Sequence, residues 1–270
     1  MSAAIEMYAL TDVGMKRDHN EDAVGITPEM GVAVLADGMG GHNAGEVASA
    51  MAVDIISRYL KDRLKDLPEA KMDENTGFNG ESILAEEVID IANSAIFETA
   101  NKNQECAGMG TTVVTAIFYQ EYITAIHVGD SRMYRLRDET LTHVTQDHSL
   151  IQEQVRRGLL TEEDARNSSI KNLVTKALGI EARVEPDVVE DIFQPGDYYM
   201  ICSDGLTDVV PDEAIRQTII EKASDLKQTC EALIQLANDA GGPDNISIIM
   251  IYTKKKFNRK KGFFARLFGQ

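Results

Sequence analysis

The 270-residue chain has no tryptophan, three cysteines, no long apolar run and no acidic residue beyond Asp244. Each shortage excludes something. Cys106, Cys202 and Cys230 are an odd count without C-x-x-C spacing, so the sequence predicts neither a disulfide framework nor a thiolate zinc site, and a reducing cytoplasm fits best. No cysteine has an arginine in the register of a phosphocysteine enzyme, which argues against a covalent thiol intermediate. No stretch approaches the roughly 18 to 20 apolar residues of a membrane span. The first residues, MSAAIEMYAL, also lack the basic-then-apolar order of a secretory signal, so a soluble cytoplasmic body is expected. No Pro/Ser/Gly-rich linker or internal repeat divides the chain, which predicts one large domain.

The missing C-terminal acids split the charge. Residues 254–270, KKKFNRKKGFFARLFGQ, carry seven of the 27 Lys and Arg, leaving a body of net −24 over residues 1–253. A body that acidic repels nucleic acid, so no nucleic-acid partner is expected. In the tail, Phe257, Phe263, Phe264, Leu267 and Phe268 alternate with cations, a composition suited to an anionic membrane surface or an acidic partner. The alternative is that a +7 tail folds back onto its own acidic body.

Short β-branched or aromatic runs bounded by Gly, Asp or charged turns predict strands at Gly31–Ala36, Thr111–Tyr119, Tyr122–Val128, Arg132–Leu136, Leu141–Val144, Asp197–Cys202 and Ile246–Tyr252. The middle of these reads as a meander of successive antiparallel strands with tight turns at Gln120–Glu121 and Asp138–Glu139. Helical periodicity appears in Ala44–Leu64, Glu81–Asn101, Glu213–Glu221 and Asp225–Asn238, with a polar loop over Met72–Gly80. Consecutive helices and long antiparallel sheets, without strict β-α-β alternation, predict an α+β fold with helix layers outside a sheet sandwich.

Four aspartates stand at the ends of apolar runs beside Gly or before Asn-Ile: Asp37 in VAVLADGMGGH, Asp130 in ITAIHVGDSR, Asp204 in YYMICSDGL and Asp244 in AGGPDNISIIMIY. Any one alone reads as a turn or cap. Four together point to a carboxylate cage for Mg²⁺ or Mn²⁺, because neighbouring carboxylates repel one another unless a cation neutralises them.

In order, RDHNED (17–22), DGMGGH (37–42), GMGTT (108–112), GDSR (129–132), SDGLTD (203–208) and GGPDNIS (241–247) resemble the motifs of the PPM family, the PP2C-type protein serine/threonine phosphatases, in its compact bacterial form. The likeness runs from about residue 5 to 252. It implies a four-layer α-β-β-α sandwich, two antiparallel sheets flanked by helix pairs, with two Mn²⁺ or Mg²⁺ ions in a cleft at one edge. Asp37 would bridge the metals and the Gly38 carbonyl would complete one of them. Asp204 and Asp244 would hold the first, Glu21 and Asp22 the second, and Asp130 with Asp204 a weaker third. A bridging hydroxide would attack phosphorus directly. Arg17 takes the place of the family's phosphate clamp, with a surface ion pair as the plain alternative. His42 takes that of the general acid that protonates the leaving Ser/Thr oxygen, with a helix-start neighbour as the alternative.

Asn245 either orients Asp244 or caps the last strand, and Gly129 and Gly205 serve the backbone. Asp147–Gly179 corresponds to the flap beside the cleft; Thr161-Glu-Glu-Asp there reads as a capping box, and Asn167-Ser168-Ser169 departs from the His-Pro of many relatives. The expected partners are phosphorylated proteins, among them a Ser/Thr protein kinase, and the expected state is a monomer. A two-metal phosphodiesterase or nuclease and a non-catalytic phosphopeptide-binding module are the rivals. The acidic body counts against the first and the full carboxylate set against the second.

Overall fold

A computed structural model describes residues 4–41, 44–68, 70–161, 173–257 and 259. Among these residues, eleven strands form two antiparallel sheets. One contains β1 (Ile5–Asp12), β11 (Ile246–Thr253), β10 (Tyr198–Cys202), β7 (Arg132–Arg137) and β8 (Thr140–His143), in that order. The other runs β2 (Asp22–Thr27), β3 (Val32–Met39), β5 (Val113–Tyr119), β6 (Tyr122–Val128) and β9 (Asp187–Ile192), with the short β4 (Gly110–Thr111) added beside the end of β3.

Alternation of side chains along each strand builds three apolar layers. Leu35, Val114, Phe118, Tyr199, Ile249 and Ile251 fill the space between the sheets. On the β3 sheet, Val34, Val113 and Ile126 face helices α1 (Ala44–Arg63) and α2 (Gly80–Lys102). On the β11 sheet, Met200, Ile248 and Met250 face α5 (Asp212–Lys222) and α6 (Leu226–Asp239). Two shorter helices among the described residues are α3 (Leu150–Arg156) and α4 (Asp204–Thr207). This is the four-layer α-β-β-α sandwich expected from the resemblance.

The predicted meander is interrupted once. β5 and β6 pair as a hairpin, as do β7 and β8, whose turn uses positive φ at Asp138 and Glu139. β6 and β7, however, lie in different sheets. Gly129–Ser131 is therefore a crossover between layers, and it carries Asp130 out to the sheet edge.

The tail begins inside the fold. Phe257, expected as a free anchor, is buried in the inter-sheet core against Gly31, and its N–H donates to Gln120 O at 2.7 Å. Arg259 is buried on Glu81 at the start of α2. The correction has a simple cause: Gly31 leaves a slot that an aromatic ring fills, and burial outweighs the charge of the surrounding lysines. Lys254 and Lys256 pair with Glu6 and Glu121, so the chain folds back on the acidic body as far as Arg259. Phe263, Phe264, Leu267 and Phe268 lie outside the described residues, as do Glu162–Asp164 of the proposed capping box and Asn167-Ser168-Ser169.

Candidate metal centre and cleft

The acidic residues converge where strand ends of both sheets meet. Asp22 opens β2 and faces Asp37 across the β2–β3 ladder. Asp204 begins α4 directly after β10, and Asp244 precedes β11. Asp130 arrives by the crossover. Backbone packing is tight enough to require glycine at two of these turns. A Cβ on Gly38 would lie 2.1 Å from Gly45 O and 2.6 Å from Glu21 O, and one on Gly205 would lie 2.0 Å from Asn245 O. Close approach of main chains, which only glycine permits, draws the carboxylate-bearing segments together.

The electrostatics are those of a site built for cations. Burial, first, and repulsion from Asp22, Asp204, Asp130 and Asp244 push the Asp37 carboxyl well above the usual carboxylate range. Asp204 is raised in the same way, by burial and then by Asp130, Asp208, Asp244 and Asp22. Asp22 and Asp130 are each pushed up to about 6, chiefly by burial. Asp22 Oδ1 and Asp204 Oδ1 are buried without a hydrogen-bond partner. Orphaned, mutually repelling carboxylate oxygens suit hard divalent ions, and the residues present fit Mn²⁺ or Mg²⁺.

Asn245 does more than cap or orient. Its Oδ1 accepts from Glu21 N–H at 2.8 Å, its Nδ2 donates to Val13 O at 2.9 Å and to His19 O at 3.0 Å, and its own N–H donates to Asp244 Oδ1 at 2.8 Å. One amide thus ties the β1–β2 loop, with Glu21 and Asp22, to the carboxylate before β11. Ser49 Oγ on α1 donates to Glu21 O at 2.5 Å and Gly38 N–H to the same oxygen at 3.1 Å.

Arg17 lies at the rim, half exposed, its Nη2 donating to Asp244 Oδ2 at 2.7 Å; its charge also feels Glu21 and Asp37. Its partner is thus a carboxylate of the cage itself, not a neighbour in sequence such as Asp18 or Asp22. The structure therefore brings together Arg17, Glu21, Asp22, Asp37, Gly38, Asp130, Asp204 and Asp244. His42 lies outside the described residues; its neighbour Gly41 is exposed and its C=O accepts from Ala44 N–H at 3.2 Å at the start of α1. Asp208, to which sequence reasoning gave no role, adds its charge to both Asp130 and Asp204. Its signal was the four-residue spacing from Asp204, one helical turn, with Asp208 N–H donating to Asp204 O at 2.8 Å.

Comparison with known proteins agrees with this geometry. The Protein phosphatase 2C family profile matches residues 15–241. The chain is 38% identical over 244 residues to the serine/threonine phosphatase stp of Listeria welshimeri, covering 89% of this chain and 93% of that protein. It is 35% identical over 252 residues to the protein phosphatase PhpP of Streptococcus pneumoniae, covering 92% and 97%. The Mycobacterium tuberculosis serine/threonine phosphatase PstP/Ppp superposes with a TM-score of 0.81 at 32% identity, over 93% of this chain and 99% of that one. A PstP catalytic domain solved with two manganese ions gives 0.80 at the same identity and coverage. The chain belongs to the PP2C (PPM) family of metal-dependent serine/threonine protein phosphatases.

Proposed function

We propose that this chain hydrolyses phosphoserine and phosphothreonine monoesters of proteins, a Ser/Thr protein kinase among them, in a cleft whose metals are held by Asp22, Asp37, Asp204, Asp244, Glu21 and the Gly38 carbonyl. The observation that carries the reading is the buried cluster of raised carboxylates with orphaned oxygens, rimmed by one guanidinium. Those residues would hold two Mn²⁺ or Mg²⁺ ions, and the chemistry the ions would supply is a water of lowered pKa for in-line attack on phosphorus. Asp130 with Asp204 provides a weaker third position.

The chain's own groups do the rest. Asp37 and Asp204 hold their carboxylates fixed by burial between strands. Arg17, now paired with Asp244 at the rim, would present its planar fork to two phosphate oxygens. His42 delivers the proton to the departing Ser/Thr oxygen. Residues 260–270, with three cations and four large apolar side chains, place the enzyme at anionic membrane surfaces, reversibly and with salt sensitivity.

Metal-stripped protein assayed on a phosphothreonine peptide tests the core of this reading. Activity is expected to be absent in EDTA and restored by Mn²⁺ or Mg²⁺. Activity that survives chelation, or returns with Zn²⁺ alone, contradicts it. Replacing His42 by alanine should slow phosphothreonine hydrolysis far more than nitrophenyl phosphate hydrolysis, since nitrophenolate leaves unprotonated; equal losses remove the general-acid role.

A further inference from the structure

The flanks of the Asp130 crossover are held by two consecutive residues from another part of the chain. On one side Arg132 closes on Asp147, Nε donating at 3.0 Å and Nη2 at 2.6 Å. On the other, His148 grips both backbone groups of Gly129: Gly129 N–H donates to His148 Nδ1 at 3.1 Å, and His148 N–H donates to Gly129 O at 2.9 Å. Gly129 has φ +108°, a conformation open to glycine and held by this grip.

The tautomer of His148 follows from the first of these bonds. An amide N–H donates only into a lone pair, so Nδ1 is bare and the neutral ring carries its proton on Nε2. Burial, and then the neighbouring His127, lower its basicity, which agrees with a neutral ring. Nε2 lies 3.2 Å from Asp187 Oδ1, an electrostatic contact whose angle falls outside hydrogen-bond geometry, and Asp187 is itself paired with Lys176 at 3.4 Å. His127 stacks on His148 with centroids 4.8 Å apart and planes within 13°. His127, His148 and Asp187 are close enough to be a ligand set. Nearly parallel rings, however, direct their in-plane lone pairs side by side, and a protonated Nε2 offers none, so the cluster is a brace.

His148 also ties down the roots of the flap. Thr175 N–H donates to its C=O at 2.7 Å, and Leu150 N–H donates to Leu173 O at 3.0 Å beside it. We propose that His148 is a positioning residue for the weaker metal site, fixing the crossover that carries Asp130 through Gly129 while Asp187 braces the ring. The proposal rests on Asp130 being a metal ligand.

Calorimetry and the electron paramagnetic resonance of bound Mn²⁺, on metal-stripped wild type and variants, separate the outcomes. In His148→Ala both the grip and the brace are gone, and the weakest Mn²⁺ site should lose about 10- to 100-fold in affinity, the range for a residue that orients a ligand, with the two tight sites unchanged. His148→Asn keeps an acceptor near the Nδ1 position but cannot reach Asp187, so it and Asp187→Asn should share a smaller loss. Wild-type weak-site affinity in His148→Ala overturns the proposal. If that variant does not fold, unchanged affinity in both His148→Asn and Asp187→Asn overturns it equally. Should Asp130→Asn leave the weak site intact, the ligand assignment fails first, and the proposal with it.

Discussion

At the scale of single residues the site is defined by what its carboxylates endure without metal. Burial pushes Asp22 and Asp130 up to about 6 in the fold, against about 3.9 for an aspartate in an unfolded chain. A raised folded pKa means that the folded state holds its proton longer than the unfolded chain. The metal-free protein should therefore lose stability as pH rises from about 4 to about 6, on the order of 3 kcal/mol for each such group, and stay at the lower level above that. Saturating Mn²⁺, which binds only the folded state, should reverse the loss at pH 7. Thermal unfolding with EDTA and with Mn²⁺ across that window checks both; a metal-free Tm that climbs from pH 4 to 6 contradicts the account. Arg17 gives a different signature, because it acts on substrate. Arg17→Ala should lower kcat/KM by about 1.5–3 kcal/mol, roughly 10- to 150-fold, with Mn²⁺ affinity unchanged by calorimetry. A drop in metal affinity with KM intact would make it a partner of Asp244 alone. Asp37, Asp130 and Asp204 were legible in the sequence, since Asp beside Gly at the end of an apolar run is visible in one dimension, whereas Glu21 and Asp22 carry no such pattern and came only with the family resemblance. Asn245 was only half legible: its bonds to Val13, His19 and Glu21 span more than 220 residues of chain.

At the scale of elements, legibility followed position in the sheets. Five of the six interior strands, β3, β5, β6, β10 and β11, are almost wholly buried and read as continuous apolar runs, while the sixth, β7, alternates arginines with Met133, Tyr134 and Leu136. Three of the four edge strands, β1, β2 and β9, went unpredicted. Their sequences IEMYALTD, DAVGIT and DVVEDI are half-buried and carry acids or a glycine, so their pairing is imposed by the neighbouring strand. The crossover at Gly129 could not be told from a hairpin turn for the same reason: both look like Gly-Asp between two strands. Two substitutions test how elements hold the site. Gly38→Ala must push β3 away from α1, since no side chain fits within 2.1 Å of Gly45 O, and should abolish tight Mn²⁺ binding even in protein that remains folded by circular dichroism. Asn245→Ala leaves Glu21 N–H and two loop carbonyls without partners, at about 1–3 kcal/mol for each group that water cannot reach. Its expected result is a lower Tm together with weaker metal binding; a lower Tm alone would make Asn245 a cap and nothing more.

At the scale of the whole molecule, the body and its tail do not part at Thr253. Removing residues 254–270 takes away buried Phe257 and the cation that neutralises buried Glu81, each worth about 3–5 kcal/mol, so that truncation should unfold at a markedly lower temperature. Removing residues 260–270 should leave Tm and small-phosphoester turnover unchanged while ending co-sedimentation with anionic liposomes at low salt. Equal co-sedimentation of that truncated form would dismiss the membrane reading. Only Lys260, Lys261 and Arg266 of the seven tail cations lie beyond Arg259, which limits the electrostatic gain to about 3 kcal/mol and makes attachment brief. The burial of Phe257 against Gly31 also sets a direction. Gly31 precedes β3 and Asp37 lies near its other end, so roughly 20 Å of strand separates the tether's root from the metals. If residues 260–270 hold the molecule at a lipid surface, the cleft lies at the end of β3 remote from the buried Phe257. Its substrates would then be phosphorylated segments that project far enough from neighbouring proteins to reach the open end of the cleft.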